Sequence, residues 1–288
     1  MNCRLLLTSD LHQHTPKWHD LVSVAARERA DFVLVAGDLL PKTGGFKSQK
    51  EFFQQLRKYF TAIKAGSCQV LTYLGNDDFH VLEPLLNELE SEGLCINMNG
   101  RVFRSSGLVF CGMNKVRDYP FGYKHYCARD GEQVACPVQF CGQGLTVDEK
   151  GNWVQLKNLE QYLKSKPGIE EELAAVKRQL ADGEMSHSIW LIHQPPAGLG
   201  FDICADGRTV GSDSVYDFIS ANQPLLGVSG HIHESPYEPG GRWINHVGRT
   251  LWVQAGQETS KLHYVALDIT PRFNIRNITH SIFGRTKD

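Results

Sequence analysis

Five short polar clusters in the sequence carry side chains that can bind divalent metal ions. In chain order they are Asp10-Leu11-His12, Gly37-Asp38, Gly75-Asn76-Asp77-Asp78, His193 and Gly230-His231-Ile232-His233. Their candidate ligand atoms are imidazole nitrogens and carboxylate or amide oxygens, with no cysteine thiolate among them. This donor set suits manganese, iron or zinc, and a carboxylate can bridge two such ions. The clusters therefore predict a site for a pair of divalent metal ions.

Each cluster follows a predicted β-strand, and these strands must bring the candidate ligands together. Apolar runs predict strands over residues 4–8, 32–36, 70–74, 188–192 and 225–229. Amphipathic patterns predict helices over about 17–29 and about 48–64, between the first three strands. Such alternation is typical of a parallel sheet covered by helices. Ligands of these sheets bind beyond the carboxyl ends of the strands, so we expect the clusters to meet there.

The remaining patterns predict how the rest of the chain is organised. Short strands are expected over residues 94–97, 102–104 and 108–111, and residues 114–150 are expected to form an irregular functional loop or cap. A helix over residues 156–180 is expected to be interrupted at Pro167-Gly168. Ser212 is a candidate N-cap for a helix over 213–221, and antiparallel strands are expected from residue 242 to about 278. These patterns favour one domain, residues 1–288, with a loop and helix insertion at about 114–186.

The composition limits the class of protein. Of the 288 residues, 41% are hydrophobic and 22% are charged, which is typical of a globular protein. The 30 basic and 32 acidic residues give a net charge of -2, so no nucleic-acid surface is indicated. The eight cysteines contain no C-x-x-C pair, and no secretory signal or membrane-length apolar stretch is found. We therefore expect a cytoplasmic protein that acts without a membrane.

The order of the five clusters resembles that of the calcineurin-like metallophosphoesterase superfamily. The pattern is D-x-H, G-D, G-N-x-D, a single histidine and G-H-x-H, and it spans residues 10–233. The segments His193-Gln194-Pro195-Pro196, Gly211-Ser212 and Gly230 to Ser235 are also similar to its prokaryotic Icc-like branch. The resemblance implies an α/β fold, a four-layer α/β/β/α sandwich with two mixed sheets.

The same resemblance implies a ligand set for each of two metal ions and a reaction. Asp10, His12 and His233 would hold one ion. Asn76, His193 and His231 would hold the other, and Asp38 would bridge them. The ions would be manganese, iron, zinc or a mixed pair. A metal-bridging hydroxide would then hydrolyse a phosphate ester, because two ions can lower the pKa of a bridging water and stabilise the transition state.

One position departs from the family pattern. Many members have histidine where this chain has Asp77, followed by a carboxylate that here is Asp78. A carboxylate beside two cations is a poor proton donor near neutral pH. His14 and His80 are therefore candidates for proton transfer or phosphate contact. The candidate catalytic residues are Asp77, Asp78 and His14, and the candidate substrate contacts are Asn76, His14 and His80. We expect a preference for phosphodiesters or for esters with good leaving groups.

Other interpretations of these residues and of the function remain open at this stage. Asp10, Asp38 and Asn76 are also common turn residues, and His231 and His233 could be exposed on alternate positions of a strand. Lys17, Arg208, Arg242 and Arg249 could reach a phosphate, but solvated surface charges are the favoured interpretation. The favoured function is a phosphodiesterase for small or nucleotide-like substrates. The alternatives are a phosphomonoesterase, a Ser/Thr-type protein phosphatase, or a catalytically silent binding protein on the same fold.

Overall fold

The computed structural model describes residues 2–139, 144–257 and 260–286. Its strands are β1 Cys3–Thr8, β2 Phe32–Val35, β3 Gln69–Thr72, β4 Ile96–Asn97, β5 Val102–Ser105, β6 Leu108–Met113, β7 Val116–Arg117, β8 Cys127–Ala128, β9 Leu145–Val147, β10 Trp153–Gln155, β11 Ser188–Ile192, β12 Leu226–Val228, β13 Ile244–Val247, β14 Thr250–Val253, β15 Val265–Ile269, β16 Ile275–His280 and β17 Gly284–Arg285. Its α-helices are α1 Thr15–Glu28, α2 Gly45–Ala65, α3 Glu83–Ser91, α4 Leu159–Lys164, α5 Ile169–Lys177 and α6 Asp213–Asn222. Short 3₁₀ helices cover His80–Leu82, Glu184–His187 and Ser235–Tyr237.

The first of two large sheets contains the strands that precede the first three polar clusters. Its order is β17-β16-β15-β1-β2-β3-β4. Strands β1 to β4 are parallel, whereas β1 pairs antiparallel with β15. All four residues of β2 are buried, as expected for a parallel strand that is covered on both faces. The carboxyl ends of β1, β2 and β3 therefore lie side by side.

The second large sheet contains the strands that precede the last two clusters. Its order is β13-β14-β12-β11-β6-β5, in which β14, β12, β11 and β6 are parallel. An apolar core joins the two sheets, with Leu5 and Leu34 from the first sheet and Phe110 and Leu191 from the second. This arrangement places the carboxyl ends of β11 and β12 opposite those of β1 and β2.

Helices cover the outer face of each sheet and complete four layers. On the first sheet, α1 and α2 bury Trp18, Leu21 and Phe60. On the second sheet, α5 and α6 bury Leu173 and Ile219. Amphipathic helices of this kind are held mainly by packing of their apolar face. The predicted four-layer α/β/β/α sandwich is confirmed.

Two regions differ in detail from the sequence-based expectation. Residues 156–180 form the two helices α4 and α5, and α5 begins directly after the predicted break at Pro167-Gly168. The segment predicted to be irregular contains three short strands, because Val116 pairs with Cys127 and Thr146 pairs with Val154 of β10. Such non-local pairings leave little signal in the sequence of a two- or three-residue strand. Within the described ranges, no helix combines the length and apolar character needed to cross a membrane.

Candidate metal centre

The strand ends of both sheets bring the predicted ligands to one edge of the sandwich. Asp10 and His12 follow β1, Asp38 follows β2, and Asn76 follows β3. Across from them, His193 directly follows β11, and His231 and His233 follow β12. We refer to these seven residues as the candidate metal centre.

The backbone of the centre adopts a conformation that non-glycine residues rarely take. Asp10, His12, Asp38 and His231 have φ values of 54, 46, 55 and 68°. Hydrogen bonds fix these turns to one another: Asp10 N donates to Gly37 O (3.1 Å) and His12 N to Asp38 O (2.9 Å). Left-handed conformations at such residues cost free energy and are concentrated at functional sites.

Asp10, His12 and Asp38 form a compact group of possible metal ligands. One ligand atom from each lies within 4.8 Å of the other two. Asp10 Oδ2 and both ring nitrogens of His12 are buried and have no hydrogen-bond partner among the described residues. Buried polar atoms are normally paired, so these orphaned atoms indicate a ligand-binding site. A divalent cation fits this set of one imidazole and two carboxylates.

Asn76, His193 and His231 form a second group on the other side of Asp38. Asn76 Oδ1 lies 2.9 Å from His193 Nε2 and 2.6 Å from His231 Nδ1. His193 Nε2 is also 3.5 Å from Asp38 Oδ2. Because His193 Nδ1 donates a hydrogen bond to the carbonyl of Ala36 (2.7 Å), its Nε2 is left to bind a ligand. The carboxylate of Asp38 therefore lies next to both groups.

His233 is not part of the compact group. Its side chain is partly exposed, and its Nδ1 is 3.5 Å from Glu234 Oε2. This Nδ1 has no hydrogen-bond partner among the described residues. Its assignment to the first ion stays a prediction.

In the candidate metal centre, the negative charge of Asp38 and the positive charge of His193 stabilise each other. Burial raises the pKa of Asp38, but His193, followed by His12 and Lys42, holds it well below its usual range. Burial lowers the pKa of His193, but Asp38 and Asp10 raise it to about 9. Burial lowers the pKa of His12 to about 4 and that of His231 to about 3. His193 and Lys42 are therefore the positive groups that act on the carboxylate of Asp38, whereas His12 and His231 are neutral near pH 7.

Asp77 and Asp78 occupy very different environments. Asp77 Oδ2 is 3.1 Å from Lys42 Nζ, and both side chains are partly exposed at the rim of the centre. Asp77 N also donates to Asp38 Oδ1 (2.9 Å). Asp78 is fully buried, and its carboxylate accepts hydrogen bonds from Leu39 N (2.9 Å), Leu40 N (2.8 Å) and Gly75 N (2.8 Å). Asp78 therefore ties together the turns that carry Asp38 and Asn76.

His14 and His80, the two candidates for proton transfer or phosphate contact, lie in different places. A cavity of about 520 Å³ opens beside Asp10 and His12, and His14 is one of the residues that line it. His80 is not among those residues. Its Nδ1 is 2.8 Å from the hydroxyl of Tyr123, and its ring stacks on His125. The structure thus brings His14, and not His80, to the cavity beside the first group.

Three further residues lie near the centre although sequence reasoning did not place them there. Lys17 was considered as a possible phosphate contact, with a solvated surface charge as the favoured interpretation. The residue is only 4% exposed and lines the same cavity, which corrects the favoured interpretation. It lies in the first turn of α1, which lines this cavity together with Asp10 and His12. Lys42 pairs with Asp77. Asn114, fully buried after β6, donates to Leu74 O (2.9 Å) and leaves its Oδ1 without a partner among the described residues.

Signals for two of these residues were present in the sequence. Lys42 follows the Gly37-Asp38 cluster at a distance of four residues, and Lys17 follows His14 at a distance of three. Tyr119, in the segment between β7 and β8, also lies near the centre. The centroid of its ring is 5.8 Å from that of the His231 ring. A short distance in sequence from one of the polar clusters was thus a signal that these two lysines lie near the centre.

Comparisons with known proteins identify a family and similar folds. The sequence model of the calcineurin-like phosphoesterase family matches residues 3–235. One solved structure is 17% identical, with a TM-score of 0.60, and the match covers 96% of this chain and 98% of the other. A Thermus thermophilus protein is 16% identical, with a TM-score of 0.56 and coverage of 96% and 98%. A dimetal phosphatase from Danio rerio is 13% identical, with a TM-score of 0.56 and coverage of 98% and 96%.

These structural similarities establish the fold alone, because the identities are low. No curated protein matches the sequence significantly.

Proposed function

Because the chain belongs to the calcineurin-like phosphoesterase family, we propose that it is a metal-dependent phosphoric ester hydrolase with a two-ion centre. The observation that carries the proposal is that the possible metal-ligand atoms of Asp10 and His12 are buried and unpartnered among the described residues, beside the carboxylate of Asp38. Leaving such atoms unpaired costs about 1–3 kcal/mol each, so a bound cation would relieve an otherwise unfavourable arrangement.

The proposed ligands divide between the two ions. Asp10, His12 and His233 would hold the first ion, and Asn76, His193 and His231 the second. Asp38 would contact both, since its carboxylate adjoins both groups. When bound, two divalent ions supply Lewis acidity, a bound water of lowered pKa and positive charge that stabilises an in-line displacement. We propose manganese, iron or zinc, because all three accept nitrogen and oxygen ligands.

The remaining residues of the centre would position the ligands and the substrate. Asp78 would keep Asp38 and Asn76 in register through its three backbone hydrogen bonds. Lys42, at the rim, would attract an anionic substrate. Asp77 is paired with Lys42 and, as a carboxylate, only accepts hydrogen bonds. A site without an obvious proton donor at this position favours substrates whose leaving group needs no proton.

We therefore propose a phosphodiesterase that acts on small or nucleotide-like esters. The cavity of about 520 Å³ beside Asp10 is of the size that suits a small-molecule ligand. A phosphomonoesterase is the second candidate. A Ser/Thr-type protein phosphatase would need a groove open to a peptide. A catalytically silent binding protein would show no turnover of any ester.

The test is metal-dependent turnover of a panel of esters. Protein depleted of metal and reloaded with Mn²⁺, Fe²⁺ or Zn²⁺ is assayed with bis(p-nitrophenyl) phosphate, p-nitrophenyl phosphate and a phosphoserine peptide. We expect kcat/KM to be highest for the diester. Asp38→Asn replaces the carboxylate that would hold both ions by a neutral amide. Because misplacing reacting groups by about 1 Å can lower the rate about 100-fold, the variant should lower kcat/KM at least about 100-fold and reduce the bound metal. The exposed control Asp206→Asn should change neither. An Asp38→Asn variant with full metal content and full activity would refute the two-ion proposal.

A further inference from the structure

The cavity beside Asp10 and His12 has a second wall that the proposed reaction does not use. This wall consists of His14, Thr15, Pro16 and Lys17, and Lys42 also lines the cavity. Asn76, His193 and His231, the proposed ligands of the second ion, are not among its lining residues. The cavity therefore extends away from Asp38, on the side of the first group.

Lys17 is buried here without a partner. The residue is only 4% exposed. Among the described residues, no hydrogen bond or ion pair joins its ammonium to another side chain or to the backbone. Burial lowers the pKa of Lys17 to about 8, and the charge of Asp10 opposes this shift. The ammonium is thus still mostly charged at neutral pH.

The helix that carries Lys17 places a further partial positive charge near its ammonium. Lys17 lies in the first turn of α1, a helix of 14 residues. Helix N-termini carry partial positive charge and favour acidic residues, yet this first turn contains no acidic residue. The N-cap residue, His14, provides no capping hydrogen bond, and its buried Nδ1 is unpartnered among the described residues. An ammonium, an uncapped helix N-terminus and an unpaired imidazole nitrogen therefore face one cavity.

We propose that this cavity binds a second, non-scissile phosphoryl group of the substrate, with Lys17 as its principal contact. The proposal rests on the proposed function, in which the scissile phosphate is held near Asp38. An anion of this kind supplies the partner that Lys17 lacks, and phosphate oxygens suit both an ammonium and a helix N-terminus. Of the two lysines that line the cavity, Lys42 is paired with Asp77, whereas the ammonium of Lys17 has no partner among the described residues.

The proposal narrows the class of substrate. Asp10, which also lines the cavity, would by itself repel an anion. An ion bound by Asp10 and His12 would offset that charge and leave Lys17 to set the local potential. The enzyme would then favour esters that carry two phosphoryl groups over esters that carry one.

The experiment compares a one-phosphoryl and a two-phosphoryl ligand by calorimetry on the Mn²⁺-loaded protein. Methylphosphonate carries one phosphoryl group, and methylenebisphosphonate carries two and cannot be hydrolysed at its bridge. Since a charge-assisted contact contributes a large share of phosphate affinity, we expect the wild-type protein to bind methylenebisphosphonate at least about tenfold more tightly. In Lys17→Met, which keeps the length of the side chain without the charge, the ratio of the two affinities should fall by about the same factor. The exposed control Lys47→Met should keep the wild-type ratio.

The outcomes separate this proposal from the proposed function. A wild-type ratio near one, an unchanged ratio in Lys17→Met, or an equal loss of both ligands would overturn the second phosphoryl site. Protein that turns over no ester but shows the Lys17-dependent ratio would overturn only the proposed function. Bound manganese is measured after each titration, so that removal of the metal by the bisphosphonate is recognised. If Lys17→Met does not fold, Lys17→Gln is used and the same fall in the ratio is expected.

Discussion

Substituting Gly75 by alanine tests how tightly the turns after β2 and β3 hold Asp38. A Cβ atom at position 75 would lie 2.2 Å from Asp38 Oδ1 and 2.4 Å from Asp38 N, whereas ordinary contact begins at 3.4 Å. Gly75 has no left-handed φ, so the added methyl group is the only strain. To relieve it, the carboxylate and backbone of Asp38 must move by about 1 Å.

The displacement has consequences for metal binding and for catalysis that can be estimated. A misplacement of about 1 Å near the reacting groups can lower the rate about 100-fold, and overpacking costs about 1–3 kcal/mol of stability. We expect Gly75→Ala to lose metal on dialysis and to lower kcat/KM for bis(p-nitrophenyl) phosphate by about that factor. Metal content is measured by mass spectrometry and folding by thermal denaturation.

A matched control separates the local clash from a general effect of alanine. Gly66, at the end of α2, has an ordinary φ, and a Cβ there would lie 3.4 Å from its nearest neighbour, Ile63 O. Gly66→Ala should therefore keep the metal content and rate of the wild type. If a folded Gly75→Ala keeps both as well, Asp38 is not held as the structure indicates, and the reasoning fails.

Three other predictions concern protonation, the leaving group and stability. Metal binding must displace the proton of His193, whose pKa is raised to about 9, so the apparent affinity for Mn²⁺ should rise from about pH 6 to about pH 9. Calorimetry that finds a constant affinity over this range would contradict that assignment. For diesters, the wild-type rate should fall steeply as the pKa of the leaving group rises, and Asp77→His should make the dependence shallower by supplying a proton donor. An equally steep dependence in the variant would argue against a role for position 77. Ser212 caps α6 by accepting a hydrogen bond from Val215 N (3.0 Å) and donates to Asp130 Oδ1 (2.8 Å), so Ser212→Ala should lower the free energy of unfolding by about 1–3 kcal/mol while metal content is retained. Urea denaturation measures this change, and a stability equal to that of the wild type would exclude the cap as a significant contribution.

The sequence was sufficient to predict where the candidate ligands lie. Asp10, Asp38 and Asn76 each follow a short apolar strand, and parallel strands align their carboxyl ends whatever their other contacts. The resemblance to the family predicted the fold, which is confirmed, and a division of ligands between two ions, which stays a prediction. Both the strand ends and the break in the helix at Pro167-Gly168 depend on local patterns, which explains why they could be predicted.

Features that depend on distant contacts could not be predicted from the residues alone. Lys17 lies in the sequence of an amphipathic helix, where a lysine is expected to be exposed. Its burial depends on how α1 packs in the fold, which the sequence pattern does not show. Of the three backbone donors to Asp78, Leu39 N and Leu40 N lie 39 and 38 residues before it, and Gly75 N belongs to its own turn. The pairing of Val116 with Cys127 joins strands of two residues, too short for any periodicity to indicate them.

The central claim, that Asp38 bridges two metal ions, is tested most directly by anomalous diffraction from crystals of the Mn²⁺-loaded protein. We predict two anomalous peaks about 3.5–4 Å apart, each within bonding distance of an oxygen of Asp38, one beside Asp10 and His12 and the other beside Asn76 and His193. A single peak, or two peaks that do not share Asp38, would contradict the claim.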